Sequence, residues 1–404
     1  MRRSRLRSAL FASVVVSAMA VAFTSCVKDE YEGPDPDLPT RTVLVYLAGD
    51  NNLSELGEMA ELLRAAWTYT GNRCLVYYDA ADAAPVLLSL RGGCSTWPEP
   101  WIETVAEYAE ENSASAEVFA RVLDDVVRSY PADSYGLVYA SHASGWLPAG
   151  TLADPRTASR SIGIDRTPGT LGGGAAEMEL ADFAAAIPDG QFDFIIFEAC
   201  LMAGVEVAYA LRNKTDYIVA SSAEMLVPGF IPIWRQNASR LLFDTSLSVE
   251  QSLVRLAEAY YGYMDAQSGA YRSATLSIIK TERLNILAAR AAEIYSTALS
   301  ELSDIGALQR FDRPGSYGDT PAAPRYFDLG ECLERMATAV QWTELEPLFS
   351  EIVVWKAATP TFMSGYNGFT IERHSGLTTY IEQELFPELN EAYRLTEWYQ
   401  MTRQ

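Results

Sequence analysis

Short apolar runs without alternation recur through the first 240 residues, and they predict strands buried on both faces of a sheet. The runs occupy residues 42–49, 74–79, 86–90, 135–142, 192–198 and 217–221. Unbroken runs of this length are typical of parallel strands covered on both sides. Residues with helical spacing lie between them, for example Phe119, Val122 and Val126. Strands that alternate with helices predict an α/β fold with a mostly parallel sheet.

The pattern changes after about residue 240, where helical spacing replaces the apolar runs. Residues 248–264, 282–302, 329–337 and 344–355 predict helices, and residues 366–371 fit one more strand. Residues 151–176 have no period and predict a long loop. We therefore divide the chain into an α/β core, residues 42–240, and a mainly helical C-terminal region, residues 241–404, that packs on the core.

The N-terminus has the pattern of an export signal. Arginines at positions 2, 3, 5 and 7 precede an apolar stretch at 10–23, which is short for a membrane span and suits a signal peptide. The stretch ends in FTSC at 23–26, which resembles a bacterial lipobox and predicts a signal peptide over 1–25 and lipidation of Cys26. A plain secretory signal cleaved nearby is the alternative.

Residues 26–41 are acidic and rich in proline, which predicts a tether rather than a folded unit. Such tethers are similar to those of surface-exposed lipoproteins in Bacteroidetes-like bacteria. We therefore expect an outer-membrane lipoprotein that is held through its lipid anchor and exposed at the cell surface.

Composition and charge narrow the classes of function. Hydrophobic residues make up 49% of the chain and charged residues 21%, as in ordinary globular proteins. The net charge is -22, and it becomes -26 without the four N-terminal arginines, because 27 basic residues then face 53 acidic ones. Such a surface repels nucleic acid. Five irregularly spaced cysteines, two histidines and no HExxH or paired CxxC motif indicate neither a disulfide framework nor a zinc site.

Three groups of polar residues follow the apolar runs: residues 50–52, His142, and Glu198 to Cys200. Ligands and chemistry gather at the carboxyl ends of parallel strands. A cysteine nucleophile needs a proton-transfer partner, for which histidine is the natural residue. A helix predicted soon after Cys200 would favour its thiolate and offer N–H donors to an oxyanion. Taken alone, Cys200 also fits a small buried hydrophobe and His142 a structural hydrogen-bonding residue.

The sequence around these two residues distinguishes between the interpretations. SHASGW at 141–146 and EACLMAGVE at 198–206 resemble the two active-site motifs of the clostripain family, HGxGW and DACLM. The resemblance runs from about residue 41 to about residue 232 and includes YLAGDNNL at 46–53, RSIGID at 160–165 and YIVASS at 217–222. Beyond residue 240 it is loose. Clostripain-family proteins are cysteine peptidases with a caspase-like fold, so the resemblance implies a caspase-like three-layer sandwich.

The resemblance also implies roles for individual residues. Cys200 would be the nucleophile and His142 its general acid and base, and the backbone N–H groups of Cys200 and Ala143 would form the oxyanion hole. Family members cleave after Arg or Lys, and Glu198 stands where an acidic residue helps to hold the substrate cation. Asp50 would add a second charge, or it is a turn or helix-cap residue.

Two residues depart from the family pattern. Ala143 replaces a glycine, which would disturb the oxyanion site if the position needs a glycine-only backbone angle or if the methyl group crowds the substrate. Glu198 replaces the usual aspartate, and its extra methylene would shift the preference between Lys and Arg. Both departures would also suit an inactive homologue.

The predicted loop 151–176 carries basic residues where several family members cut themselves. The candidates for self-processing are Arg156, Arg160 and Arg166. An ordinary solvated loop contains arginines too. Some relatives need calcium, but we find no calcium-loop motif and expect no cofactor.

The leading prediction is an endopeptidase that hydrolyses peptides or proteins after Arg or Lys through a thioester. The alternative is an inactive surface lipoprotein that acts as a binding module; a sugar-binding lipoprotein has no motif in its favour. Six other residues are interpreted as structural or core residues: His374, Cys74, Cys332, Trp146, Tyr77 and Tyr78. Cys94, which has no partner in the motifs, is interpreted in the same way.

Overall fold

The computed structural model describes residues 40–49, 53, 56–59, 63, 72–91, 101–149, 162–165, 176–235, 242–298, 304–314 and 323–403. The strands of the main sheet are β1 (Arg41–Gly49), β2 (Arg73–Ala80), β3 (Ala83–Arg91), β4 (Trp101–Glu107), β5 (Ser134–Ala140), β8 (Phe192–Glu198), β9 (Thr215–Ala220), β10 (Thr275–Lys280) and β12 (Val353–Ala358). Three short pairs lie outside it: β6 (Ile162–Asp165) with β7 (Ala176–Met178), β11 (Phe327–Asp328) with β15 (Thr378–Thr379), and β13 (Thr361–Phe362) with β14 (Phe369–Thr370).

The nine strands of the main sheet follow the order β12-β10-β9-β8-β5-β1-β2-β3-β4. The five central strands, from β9 to β2, run parallel to one another. Antiparallel strands extend the sheet on both sides, β3 and β4 after β2, and β10 and β12 after β9. The central strands are the apolar runs of the sequence, which confirms the predicted parallel core.

The described helices are α1 (Ala116–Ser129), α2 (Leu180–Ala186), α3 (Val205–Ala210), α4 (Ile231–Arg235), α5 (Val249–Asp265), α6 (Leu284–Ala298), α7 (Leu329–Met336), α8 (Ala339–Ile352), α9 (Pro387–Tyr393) and α10 (Glu397–Arg403). Side-chain caps fix several starts. Ser248 accepts a hydrogen bond from the Gln251 N–H at 3.1 Å and so begins α5, and Thr338 caps α8 in the same way.

Alternate side chains of each central strand enter two separate cores. Tyr46 of β1 faces one side of the sheet, where it stacks on Tyr77 at 4.4 Å and on Tyr139 at 5.4 Å between ring centroids. Val45 and Leu47 face the other side with residues of α4 and α5. Helices on both faces give three layers, so the predicted three-layer α/β sandwich is confirmed.

The region after residue 240 contributes strands as well as helices. β10 pairs with β9, and β12 pairs with β10, so two strands from this region complete one side of the sheet. The predicted helix over 344–355 was wrong at its end, since α8 stops at Ile352 and β12 begins at Val353. No glycine or proline separates the two elements, so the sequence carried no sign of the change.

Candidate active site

His142 and Cys200 lie at equivalent heights beyond two neighbouring parallel strands. In the pairing of β5 with β8, Ala140 is the Cα partner of Glu198. His142 follows Ala140 by two residues, and Cys200 follows Glu198 by two residues. The structure therefore brings both residues to the same edge of the sheet.

The two loops also touch through their backbones. Gly145 has a φ of +66°, and a Cβ atom there would stand 2.6 Å from the carbonyl oxygen of Leu201. Leu201 itself has a φ of 62°, a conformation that costs a leucine about 1–2 kcal/mol. The glycine of SHASGW is thus required for close packing of the histidine loop on the cysteine loop. No feature of the sequence predicted the left-handed backbone conformation of Leu201.

The histidine loop is held from two other directions. The His142 carbonyl accepts a hydrogen bond from the Gly163 N–H at 2.9 Å, so β6 anchors it. The hydroxyl of Tyr326 donates to the carbonyl of Ser144 from the C-terminal region. The prediction of one long loop over 151–176 was therefore wrong at residues 162–165, since the IGID segment forms a strand beside the histidine.

The Cys200 thiol is partly buried and lies against the backbone of Met225. The Met225 N–H points at Sγ with 3.3 Å between the atoms, and the thiol lies 3.9 Å from the Met225 carbonyl. Burial and, to a smaller extent, the nearby Glu224 carboxylate raise the pKa of Cys200 to about 12. The Met225 N–H and the Arg313 guanidinium act in the opposite direction. Without substrate, the nucleophile candidate is a thiol at neutral pH.

The structure corrects the prediction that the N-terminus of a helix favours the Cys200 thiolate. Helix α3 begins at Val205 with Gly204 as its N-cap, so a turn separates it from Cys200. It has only 6 residues. The Leu201 N–H in that turn donates to the Ala223 carbonyl at 3.0 Å, while among the described residues the Cys200 N–H has no hydrogen-bond partner. That group suits an oxyanion donor, but burial outweighs any effect of the helix on the thiol.

Glu198 lies beneath the loop that follows β9. Its Oε1 accepts a hydrogen bond from the Phe230 N–H at 2.8 Å. Gly229 has a φ of +57°, and a Cβ atom there would meet the same carboxylate oxygen at 2.2 Å. The glycine therefore makes room for the carboxylate. The structure places Glu198 two residues before Cys200, half-buried and fixed by backbone.

The structure bears on the two objections that the sequence raised against Ala143. Positive φ values of described non-glycine residues occur at Leu201, Met363 and Asn367, so Ala143 has an ordinary backbone angle. Its methyl group is fully buried in the core that contains Trp146. The methyl group is thus enclosed by packed protein.

Several residues named from the sequence fall outside this site. Trp146 is a core residue that packs on Tyr380 and Tyr393, each with 5.1 Å between ring centroids. His374 is half-buried, its Nε2 lies 3.2 Å from the Ser222 hydroxyl, and desolvation lowers its pKa to about 3. Six named residues lie outside the described part of the chain: Cys26, Asp50, Cys94, Arg156, Arg160 and Arg166.

Sequence reasoning missed an ion pair beside the nucleophile. Arg313 donates to both carboxylate oxygens of Glu224, with Nε–Oε2 at 2.8 Å and Nη2–Oε1 at 3.1 Å. The two residues are 89 positions apart, and neither belongs to a motif. Only the fold brings them together.

Comparison with known proteins places this arrangement in a family. The sequence model of the clostripain family matches residues 45–383, which is most of the chain. Clostripain of Hathewaya histolytica is 33% identical over 137 residues, 32% of this chain and 25% of clostripain. The match thus spans about a quarter of the length of that relative.

Two solved structures are similar over nearly their whole length. One is an inactive zymogen C11 protease from Parabacteroides distasonis, with a TM-score of 0.75, 30% identity and coverage of 91% of this chain and 99% of that one. The other is a secreted C11 cysteine protease from Bacteroides thetaiotaomicron in complex with an irreversible peptide inhibitor, with a TM-score of 0.74, 28% identity and coverage of 90% and 99%.

Proposed function

Because the chain belongs to the clostripain family of cysteine peptidases, we propose that it is an endopeptidase that cuts after Arg or Lys with Cys200 and His142. The observation that carries this proposal is the register of β5 and β8, which sets both residues two positions beyond a paired Cα position. The contact between Gly145 and Leu201 supports it, since it joins the two loops.

The proposed reaction begins from a protonated thiol, because the pKa of Cys200 is raised to about 12. His142 removes the proton as Sγ attacks the carbonyl carbon of the substrate. The N–H groups of Cys200 and Ala143 stabilise the oxyanion. His142 then protonates the leaving amine, and a water molecule that His142 deprotonates hydrolyses the thioester, which restores the thiol.

Glu198 supplies the basic preference in this proposal. Its carboxylate is near the nucleophile in sequence and is fixed by the Phe230 N–H. A fixed, half-buried carboxylate binds a guanidinium or an ammonium group through charge-assisted hydrogen bonds, which are stronger than neutral ones. Asp50 remains a proposed second charge.

The test of this function is labelling with an arginyl and a lysyl acyloxymethyl ketone, followed by mass spectrometry of the Cys200 peptide. We expect the label on Cys200 with both basic probes and about 100-fold slower labelling with an aspartyl probe. Cleavage of arginyl or lysyl reporter peptides should follow the same order. A folded protein that ignores basic and acidic probes alike would refute the proposed function.

One observation favours the alternative of an inactive binding module. The thiol is strongly disfavoured as a thiolate in the absence of substrate, with burial as the main cause. In that alternative the basic probes bind reversibly and leave Cys200 unmodified. The same labelling experiment therefore separates the two functions.

Ala143→Gly is expected to leave the reaction unchanged, because the methyl group is buried in the core and the backbone angle is ordinary. The substitution should lower the free energy of unfolding by about 1 kcal/mol, from lost burial and gained chain entropy. A denaturant titration gives the stability, and kcat/KM on an arginyl reporter should change less than about threefold. A gain above tenfold would show that the methyl group does crowd the substrate.

Gly229→Ala is expected to impair the selection of basic substrates, because its Cβ would displace the Glu198 carboxylate. Gly190→Ala is the matched control, since Gly190 has a φ of +65° and a Cβ atom there would meet nothing within 4 Å. Both substitutions should cost about 1–2 kcal/mol of stability from the positive φ. Only Gly229→Ala should lower kcat/KM on the arginyl reporter, by about tenfold or more. Equal losses in both variants would contradict a role for the Glu198 position.

We also propose that the chain matures by cutting itself between the two motifs. The similarity to an inactive zymogen supports a precursor stage, and the candidate sites are Arg156, Arg160 and Arg166. Mass spectrometry of the purified chain over time should show cleavage after one of them, and Cys200→Ala should stay intact. Cleavage that persists in Cys200→Ala would assign it to another protease.

We propose that the protein is an outer-membrane lipoprotein anchored at Cys26. Among the described residues, no helix has the length and apolarity to span a bilayer, and the proposal rests on the N-terminal sequence. Radiolabelled palmitate should enter the protein and be lost in Cys26→Ala. Labelling that survives this substitution would disprove the anchor.

A further inference from the structure

A short backbone wall, residues 221–225, lines the cysteine loop. The Ala223 carbonyl accepts the Leu201 N–H at 3.0 Å, and the Met225 N–H contacts the Cys200 Sγ at 3.3 Å. Glu224 stands between these two contacts. Its carboxylate acts electrostatically on the Cys200 thiol, so it is a neighbour of the nucleophile whatever substrate the protein takes.

The partner of this carboxylate comes from the C-terminal region. Arg313 makes the two hydrogen bonds to Glu224 described above, and the side chains are 27% and 17% exposed, respectively. A paired guanidinium and carboxylate that are both mostly shielded from water interact more strongly than a surface pair.

The segment that carries Arg313 is itself held in place. The adjacent Asp312 is buried and accepts the Arg325 N–H at 3.0 Å. The Phe311 N–H donates to the Tyr326 carbonyl at 2.9 Å. Tyr326 also donates to the histidine loop through its hydroxyl. One anchored segment thus reaches both loops of the candidate site.

The effect of Glu224 and Arg313 on the ionisation of Cys200 depends on the other charges around the thiol. Among the described residues, the titratable and charged groups near it are Glu198 and His142 at the strand ends, Tyr260 of α5, and the pair of Glu224 and Arg313. Burial raises the pKa of Tyr260, so this group stays neutral. A carboxylate beside a thiol disfavours the thiolate, and a guanidinium bound to that carboxylate offsets the effect.

We propose that Arg313 is a positioning residue for the nucleophile: it holds and neutralises Glu224 so that Cys200 can lose its proton. The C-terminal region then contributes to the reactivity of the cysteine as well as to the sheet. This inference deepens the proposed function, but it rests only on Cys200 as a reactive thiol. It makes no use of the preference for Arg or Lys.

The experiment measures alkylation of Cys200 by iodoacetamide, a neutral reagent that needs no substrate site. Rates are taken by mass spectrometry of the Cys200 peptide between about pH 6 and pH 10. This range lies below the raised pKa of Cys200, so each rate follows the fraction of thiolate. The proteins are the wild type, Arg313→Gln, Glu224→Gln, the double variant and Arg313→Lys. Arg283→Gln, which breaks a 2.9 Å ion pair with Glu351, is the matched control.

Arg313→Gln should slow alkylation at pH 7 by about fivefold and move the pH profile to higher pH. Glu224→Gln should speed alkylation, and adding Arg313→Gln to it should change the rate by less than about twofold. Arg313→Lys should keep most of the wild-type profile, and Arg283→Gln all of it.

Three results would overturn the inference. In the first, Arg313→Gln slows alkylation by the same factor in the wild type and in Glu224→Gln. In the second, Arg313→Gln leaves the pH profile unchanged. In the third, Arg313→Gln speeds the reaction. If thermal melting shows that Arg313→Gln does not fold, Glu224→Gln alone decides: an unchanged or slower rate rejects the inference. A protein that cleaves no reporter but shows the expected alkylation pattern would reject the peptidase proposal and retain this one.

Discussion

Cys200→Ala and His142→Ala should each lower kcat/KM on an arginyl reporter peptide by a factor of about 10⁴ or more. The first removes the atom that attacks the carbonyl, and no other described cysteine stands at this edge of the sheet, since Cys74 and Cys332 are buried elsewhere in the core. The second removes the group that takes the proton from a thiol whose pKa is raised to about 12. Groups that act as one unit show losses of this size.

The proposed mechanism also predicts the result of combining Cys200→Ala with His142→Ala. Because the nucleophile and the base act in one step, the double variant should be no slower than Cys200→Ala alone. Cys332→Ala is the matched control for the cysteine: it deletes a buried thiol and should lower stability while kcat/KM stays within about threefold. His374→Asn is the control for the histidine, since His374 contacts Ser222 and burial keeps it neutral.

Activity that survives in Cys200→Ala above about 1% would remove this residue from the mechanism. So would a loss in His374→Asn as large as that in His142→Ala, once thermal melting has shown that both variants fold. Either result would leave the family assignment intact, because that rests on the match over residues 45–383.

The central strands of the sheet could be predicted from the sequence because each is marked by a local run of apolar residues. Runs such as FDFIIFE can be buried on both faces only within a covered parallel sheet. Two such strands with a histidine and a cysteine just beyond them must present those residues at one edge. The structure confirms the strands through the pairing of Ala140 with Glu198.

The edges of the sheet had no comparable signal. β10 is a 6-residue strand between two long helices, and β12 follows α8 without a break residue. Their pairing depends on contacts between segments that are far apart in sequence. Propensity alone does not decide such strands, because tertiary contacts determine them.

The fine chemistry of the site was even less accessible. The ion pair of Glu224 and Arg313 joins residues 89 positions apart, and charges of this kind are common on any surface. Leu201 is left-handed although leucine disfavours that conformation. The burial that raises the pKa of Cys200 is a property of the packed fold, so the thiolate expected from a nearby helix was not found.

Glu198→Gln should remove the preference for basic substrates and leave the catalytic pair unaffected. Glutamine has nearly the same shape, and its side-chain oxygen can still accept the hydrogen bond of 2.8 Å from the Phe230 N–H. What it loses is the charge. Two charge-assisted hydrogen bonds to a guanidinium are worth about 3–4 kcal/mol together, so kcat/KM for arginyl and lysyl reporters should fall by about 100- to 1000-fold.

Labelling by iodoacetamide at Cys200 is the internal control for Glu198→Gln, because it reports the thiol without a substrate side chain. It should change by less than about threefold, whereas the rates for the basic reporters collapse. Glu198→Asp restores the residue that is usual in the family and should keep the basic preference, with the ratio of Arg to Lys altered by the shorter side chain. Glu224→Gln tests the other carboxylate near Cys200. If Glu224→Gln abolishes the preference and Glu198→Gln does not, then the cation of the substrate binds where Arg313 now lies, and the roles of the two carboxylates must be exchanged.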